Sequence, residues 1–125
     1  MSELRFTVEH EWLRLEADGS VTVGITPFAQ NALGDVVFVQ LPELAHHARD
    51  AEVSVLESVK AASSINMPLG GEIVEVNAAL DAAPELVNQD PLAQGWFFRF
   101  IPDDLDQVHA LLDQPAYDNL IAAQG

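Results

Sequence analysis

The chain is cut into short β-patterned runs, each of which ends on turn residues before it can grow long. Leu13 and Leu15 alternate with Trp12, Arg14 and Glu16, the period-two pattern of a strand with one buried face. Ala17-Asp18-Gly19-Ser20 follows, with Asp-Gly the strong hairpin dipeptide, and Val21, Val23 and Ile25 return as a second strand. Asp35 to Leu41 is β-branched and aromatic, which predicts a strand at least partly buried on both faces, and Pro42 ends it. Many short runs punctuated in this way point to a β-sandwich.

Helical signals are confined to a few places. Thr26-Pro27 offers a hydroxyl cap and then a proline at the first helical position. A short helix over Phe28 to Leu33 is expected after the second strand, with Gly34 stopping it in a left-handed conformation. Glu43 to Asp50 reads as loop, and so does most of Asn77 to Pro91, apart from one helical turn at Pro84-Glu85-Leu86-Val87-Asn88. Trp96, Phe98 and Phe100 alternate with Phe97, Arg99 and Ile101 in the most aromatic strand. Beyond Pro102, Asp103 can cap a helix carrying Leu105, Val108 and Leu112, and a second helix opens at Pro115 with Tyr117, Leu120 and Ile121. The helical C-terminal segment thus covers about residues 103–123. The whole reads as a mainly β sandwich with helical additions, one domain over residues 1–125.

Composition removes several classes of function. With no cysteine among 125 residues, neither a disulfide framework nor a thiolate nucleophile is available. A net charge of −15 opposes electrostatic binding of nucleic acid or an anionic membrane, and suits either solubility or steering towards basic partners. No signal peptide or membrane-spanning run is visible, so a cytoplasmic location is expected. Of the histidines, His46 and His47 are neighbours that cannot share a face, and Glu9-His10-Glu11 is too consecutive to converge on a metal. No metalloprotease, phosphate-loop or nucleophile-elbow motif occurs. No catalytic residues and no metal ligands are nominated.

One residue stands apart. Of five Lys plus Arg, four are Arg5, Arg14, Arg49 and Arg99, which leaves Lys60 as the only lysine. It lies between two strand runs, Val53-Val55 and Ile65-Met67, in a stretch that ends with Pro68-Leu69-Gly70-Gly71 and the strand Glu72 to Asn77. Its neighbours Ser58, Ala61, Ala62 and Ser63 are small. A lysine serving as Schiff base or general base would be buried to depress its pKa. An exposed lysine on a turn is better suited to acylation by another enzyme, and small neighbours would leave an attached arm free to swing.

Glu57-Ser58-Val59-Lys60-Ala61 resembles the lipoylation motif of the glycine cleavage system H proteins. The resemblance extends through Glu9-His10-Glu11-Trp12, Gly24-Ile25-Thr26, Ala29-Gln30, Leu33 to Val39, Leu41-Pro42-Glu43, Gly71 to Asn77, Pro84 to Asn88 and Gly95-Trp96. It implies a flattened antiparallel β-barrel sandwich of the lipoyl/biotinyl hybrid type, with a lipoyl hairpin at about residues 53–77 and lipoate in amide linkage to Lys60. It further implies a carrier rather than an enzyme. The arm would take an aminomethyl group from a pyridoxal-phosphate glycine decarboxylase to a tetrahydrofolate-dependent aminomethyltransferase. A dihydrolipoamide dehydrogenase would reoxidise it, after lipoate-attaching enzymes had loaded it.

In that family the loaded arm can fold into a cleft on the carrier. Glu11 is the residue expected to hold the cationic amine there, with Ser64 a further cleft position. The chain departs from the pattern in three places: Ser64 stands where Asp is frequent, Ala32 where some members have His, and Ala45-His46-His47-Ala48-Arg49 replaces a glycine-bearing loop. Biotinyl domains usually flank their lysine with Met, and oxoacid dehydrogenase lipoyl domains usually precede it with Asp; here Val59 and Ala61 stand beside Lys60. A stand-alone H-like carrier used in lipoate relay or sulfur oxidation is the closer alternative. A non-carrier interaction module is the least specific one.

Overall fold

The structure, a computed structural model, describes residues 3–124. Among the described residues, nine strands form two antiparallel sheets. β1 (Glu3–Phe6), β2 (Glu11–Leu15), β3 (Val21–Ile25), β9 (Phe98–Pro102), β8 (Gly71–Val76) and β5 (His46–His47) lie in that order in the larger sheet. β4 (Val36–Gln40), β6 (Glu52–Ser58) and β7 (Ala62–Asn66) make the smaller one. Helix α1 (Pro27–Leu33) carries the chain from one sheet to the other. The short turns α2 (Ala79–Ala82), α3 (Leu86–Gln89) and α4 (Asp106–His109) and the longer α5 (Gln114–Gln124) complete the chain.

The local reasons follow the sequence. Gly19 adopts φ 89° at the β2–β3 turn, a backbone angle that L side chains resist. Thr26 Oγ1 accepts from the Ala29 amide at 3.4 Å, and Pro27 fills the first helical position. Gly34 ends α1 with φ 84° and ψ −163°, positive in φ but outside the left-handed helical well that the sequence predicts. The core between the sheets is built from Leu13, Val23, Leu56, Ile73, Phe98 and Phe100 among others. A second cluster joins Phe6, Trp12 and Tyr117 to Leu112, Leu120 and Ile121. It seats α5 against β1.

Several expectations change. β1 is an additional strand paired with β2, so α1 follows the third strand and not the second. The Glu43–Asp50 loop contains β5, whose two histidines pair with Glu72 and Gly71. Trp12 is fully buried although it occupies the supposedly outward phase of β2, because Gly24 opposite it leaves room for the indole. A Cβ on Gly24 would lie 2.6 Å from that ring. β4 is not buried on both faces. Its register against β6 shifts between Val36 and Phe38, and this bulge turns Val37 and Phe38 outwards together. The C-terminal helix expected from Asp103 shrinks to the four residues of α4, with Leu105 exposed.

Candidate functional site

The β6–β7 turn consists of Ser58, Val59, Lys60 and Ala61, and backbone and hydroxyl bonds hold it from beneath. The Ser58 amide donates to Ala61 O at 2.8 Å. Ser58 Oγ accepts from the amides of Lys60 (3.2 Å) and Ala61 (3.0 Å) and donates to Ala61 O (3.1 Å). A hydroxyl has one proton and two lone pairs, so this one is fully used. The Val59 amide donates to Asp35 O at 3.0 Å and ties the tip to the entry of β4. That entry is itself braced by Asn88, whose Nδ2 donates to Gly34 O and whose Oδ1 accepts from the Val36 amide, both at 2.8 Å. The backbone of the tip is therefore fixed from two sides while the Lys60 side chain is exposed. Its stem lies over Gly34, where a Cβ would come within 2.6 Å of Lys60 Cε.

From the tip a groove of about 340 Å³ runs between α1 and β7, walled by His10, Phe28, Ala32, Leu33, Ala61 and Ala62. It shares Ala29, Leu33 and Ser63 with a deeper cavity of about 180 Å³ that contains Glu9, Glu11, Ser64 and Ile65. The two spaces adjoin, one beside Ala61 of the tip and the other at Glu11. Alanines and the rings of His10 and Phe28 line the outer part, and the inner part sets two carboxylates and two serines among aliphatic side chains.

Glu11 is 4% exposed, and its Oε1 accepts from Thr7 Oγ1 at 3.3 Å. Its carboxyl pKa is raised to about 8, first by burial and then by the charges of Glu9 and Asp50, against the lowering contacts of Thr7 and the Asn66 backbone. At neutral pH the carboxyl is mostly protonated. A cation placed beside it would favour the ionised form and draw the proton off.

The sequence-derived residues are thus distributed in a definite way. Glu11 and Ser64 line one cavity, Ala32 lines the groove outside it, and Lys60 lies in a shallow depression that shares Ala61 and Ala62 with the groove. Sequence reasoning missed two supports. Asn88 lies in a stretch noted for its helical turn and its family resemblance, with no role given to its side chain. Tyr117 Oη bonds Thr26 Oγ1 at 2.6 Å and His10 Nδ1 at 2.9 Å, so α5 is tied to the groove wall. The positive φ of His10 (68°) directs its ring over Phe28, with centroids 4.5 Å apart, instead of continuing the strand. The one available signal was the choice of Asn, Thr and Tyr at helix ends.

A two-sheet antiparallel sandwich that presents one lysine on a backbone-locked hairpin defines the architectural class. The pattern of the glycine cleavage H-protein family matches residues 4–124, and the chain belongs to that family. It is 76% identical over 123 residues to "Glycine cleavage system H protein 1" of Pseudomonas syringae pv. tomato, covering 98% of this chain and 97% of that one. The Pseudomonas aeruginosa protein of the same name is 67% identical over the same shares. Among solved structures, a glycine cleavage system H protein from Mycobacterium marinum superposes with a TM-score of 0.86 at 36% identity, covering 96% of this chain and 97% of that one.

Proposed function

We propose that this chain, acting as one unit over residues 1–125, is the lipoyl carrier of the glycine cleavage system, with lipoate in amide linkage to Lys60. The observation that carries the reading is the sole lysine on a fixed and exposed tip, with adjoining depressions that share wall residues between it and a buried carboxyl. The residues fit the group. Ala61, Ala62 and Ala32 leave an apolar track for an aliphatic chain, and the cavity beyond is polar. Held there, a lipoyl group would supply a redox-active sulfur pair able to take up and release a one-carbon amine unit.

The chain's own residues bind, orient and shield. Ser58, Asp35 and Asn88 hold the tip so that the arm starts from one place. Glu11 gives up its proton when a cationic amine arrives, which forms an ion pair out of bulk water and slows loss of the amine. Ser63 and Ser64 offer hydroxyls beside it. The protein is a mobile carrier, a substrate of its partner enzymes and not a catalyst. Its partners are the pyridoxal-phosphate glycine decarboxylase, the tetrahydrofolate-dependent aminomethyltransferase, the dihydrolipoamide dehydrogenase and the lipoate-attaching enzymes. A cytoplasmic location belongs to the same proposal. Among the described residues no helix is long and apolar enough to cross a membrane.

The test is exchange of carbon dioxide with the glycine carboxyl by glycine decarboxylase, run on protein whose lipoyl adduct has been verified by intact mass. Wild type should support exchange, and Lys60→Arg should carry no adduct and give only background. Lipoylated wild type with no exchange above that background would refute the assignment to glycine cleavage.

A further inference from the structure

The bulge in β4 exposes two consecutive apolar side chains beside the lysine. An uninterrupted β4 would alternate, burying one of each neighbouring pair. Instead Val36 and Val39 are buried, while Val37 is 55% exposed and Phe38 is 46% exposed. Val59, next to Lys60, is 66% exposed. Val37 and Val59 line the same shallow depression of about 290 Å³ as Lys60, and Phe38 stands across from Glu57, another residue of that depression. Neither the core nor the arm groove uses these three side chains. Exposed apolar groups gathered at one place mark contact surfaces, and bulges recur where a side chain must be re-aimed.

We infer that Val37, Phe38 and Val59 form the docking patch for the enzyme that acylates Lys60. This rests on the carrier reading above. The occupant follows from reach: an enzyme that builds the amide must bring its active site to Nζ itself, so its footprint covers the lysine's immediate neighbours. Enzymes that act at the far end of a lipoyl arm carry no such requirement. Exposed Asp35 and Glu57 edge the patch on a chain of net charge −15. The matching surface is an apolar recess edged with Lys and Arg. In the step it serves, unprotonated Nζ attacks the carbonyl carbon of a lipoyl adenylate. The amide C–N bond forms, the C–O bond of the mixed anhydride breaks, AMP leaves and the amine loses one proton, with no change of oxidation state.

The experiment measures the initial rate of adduct formation by intact mass. An ATP-dependent lipoate-activating ligase, lipoate and ATP are supplied, and the concentration of the folded carrier is varied. The triple variant Val37→Ser, Phe38→Ser, Val59→Ser should raise KM for the carrier tenfold or more with kcat within twofold. Val59→Ser alone, at the most exposed position, should raise KM about threefold and keeps the test valid if the triple variant does not fold. The control Val74→Ser, Ile101→Ser removes two apolar groups of similar exposure from the larger sheet and should leave KM unchanged. Wild-type KM in the patch variants, or an equal rise in the control, overturns the assignment. So does unchanged acylation combined with lost glycine exchange by pre-lipoylated variants, which gives the patch to a downstream enzyme. A self-association abolished by the triple variant would give it to a second copy. Absence of any adduct on wild type overturns the carrier reading as well, whereas a modified wild type with unaffected variants overturns the docking patch alone.

Discussion

The two sheets carry different burdens. β3, in the middle of the larger sheet, is buried at all five positions, and Phe98 and Phe100 of its neighbour β9 are fully buried. Ala61 to Ser64 at the hairpin of the smaller sheet are exposed throughout. Stability is concentrated where the aromatic side chains interlock, and the hairpin is held by a handful of backbone and hydroxyl bonds. A tip ordered by hydrogen bonds instead of bulk keeps its place without surrounding the lysine. The cavity at Glu11 lies between these regimes, reached from the hairpin yet walled by core residues such as Ile25 and Leu56.

The sharpest way to break this contrast is to remove bulk from each side. Phe100→Ala should lower unfolding free energy by about 3–5 kcal/mol, the usual loss for a fully buried phenylalanine. Val59→Ala should change it by about 0.5 kcal/mol or less, as expected of an exposed side chain. Urea titration monitored by tryptophan fluorescence measures both, and equal losses would erase the distinction between the sheets.

Glu11 gives the next effect. Its carboxyl titrates near 8 in the folded chain against an ordinary value of 4.5. The folded state therefore holds a proton that the unfolded state has released over that interval, and stability falls as pH rises from about 4.5 through 8. Between pH 5 and 8 this one group should remove on the order of 3 kcal/mol. Glu11→Gln keeps the shape and cannot ionise, so its advantage over wild type should grow across that window. Parallel stability curves for the two proteins would mean that Glu11 is already ionised when folded.

What was legible in the sequence was local. The Asp18-Gly19 turn, the Thr26-Pro27 helix start and the small residues around Lys60 each depend on a few adjacent side chains, and each folds as read. The features that escaped depend on partners distant in sequence. β1 and β5 are short and acquire meaning only from pairing with β2 and β8. The outward turn of Val37 and Phe38 is a register shift against β6, and no pattern within β4 can announce it. Trp12 goes inward because of a glycine twelve residues later, Gly24, across the β2–β3 pair. The cleft shows the same division. Glu11 and Ser64 could be nominated from a resemblance, but their common cavity is a product of tertiary packing, as is the brace from Asn88 to the entry of β4.

The smallest effect probes the tip itself. Ser58→Ala deletes the acceptor of the Lys60 and Ala61 amides and the donor to Ala61 O, while the Ser58 amide bond to Ala61 O remains possible. Water can replace a hydroxyl at this exposed turn, so the loss should sit at the lower end for hydrogen bonds, about 0.5 kcal/mol. Its local consequence should exceed its global one. Amide hydrogen exchange at Lys60 and Ala61 should accelerate several-fold, whereas the core amides of β3 and β9 should exchange at nearly the wild-type rate. Uniform acceleration across both sheets would mean that the hairpin and the aromatic core open as one unit. Acceleration confined to the tip would show that order at the lysine is set by Ser58 and its backbone partners, independently of the core beneath.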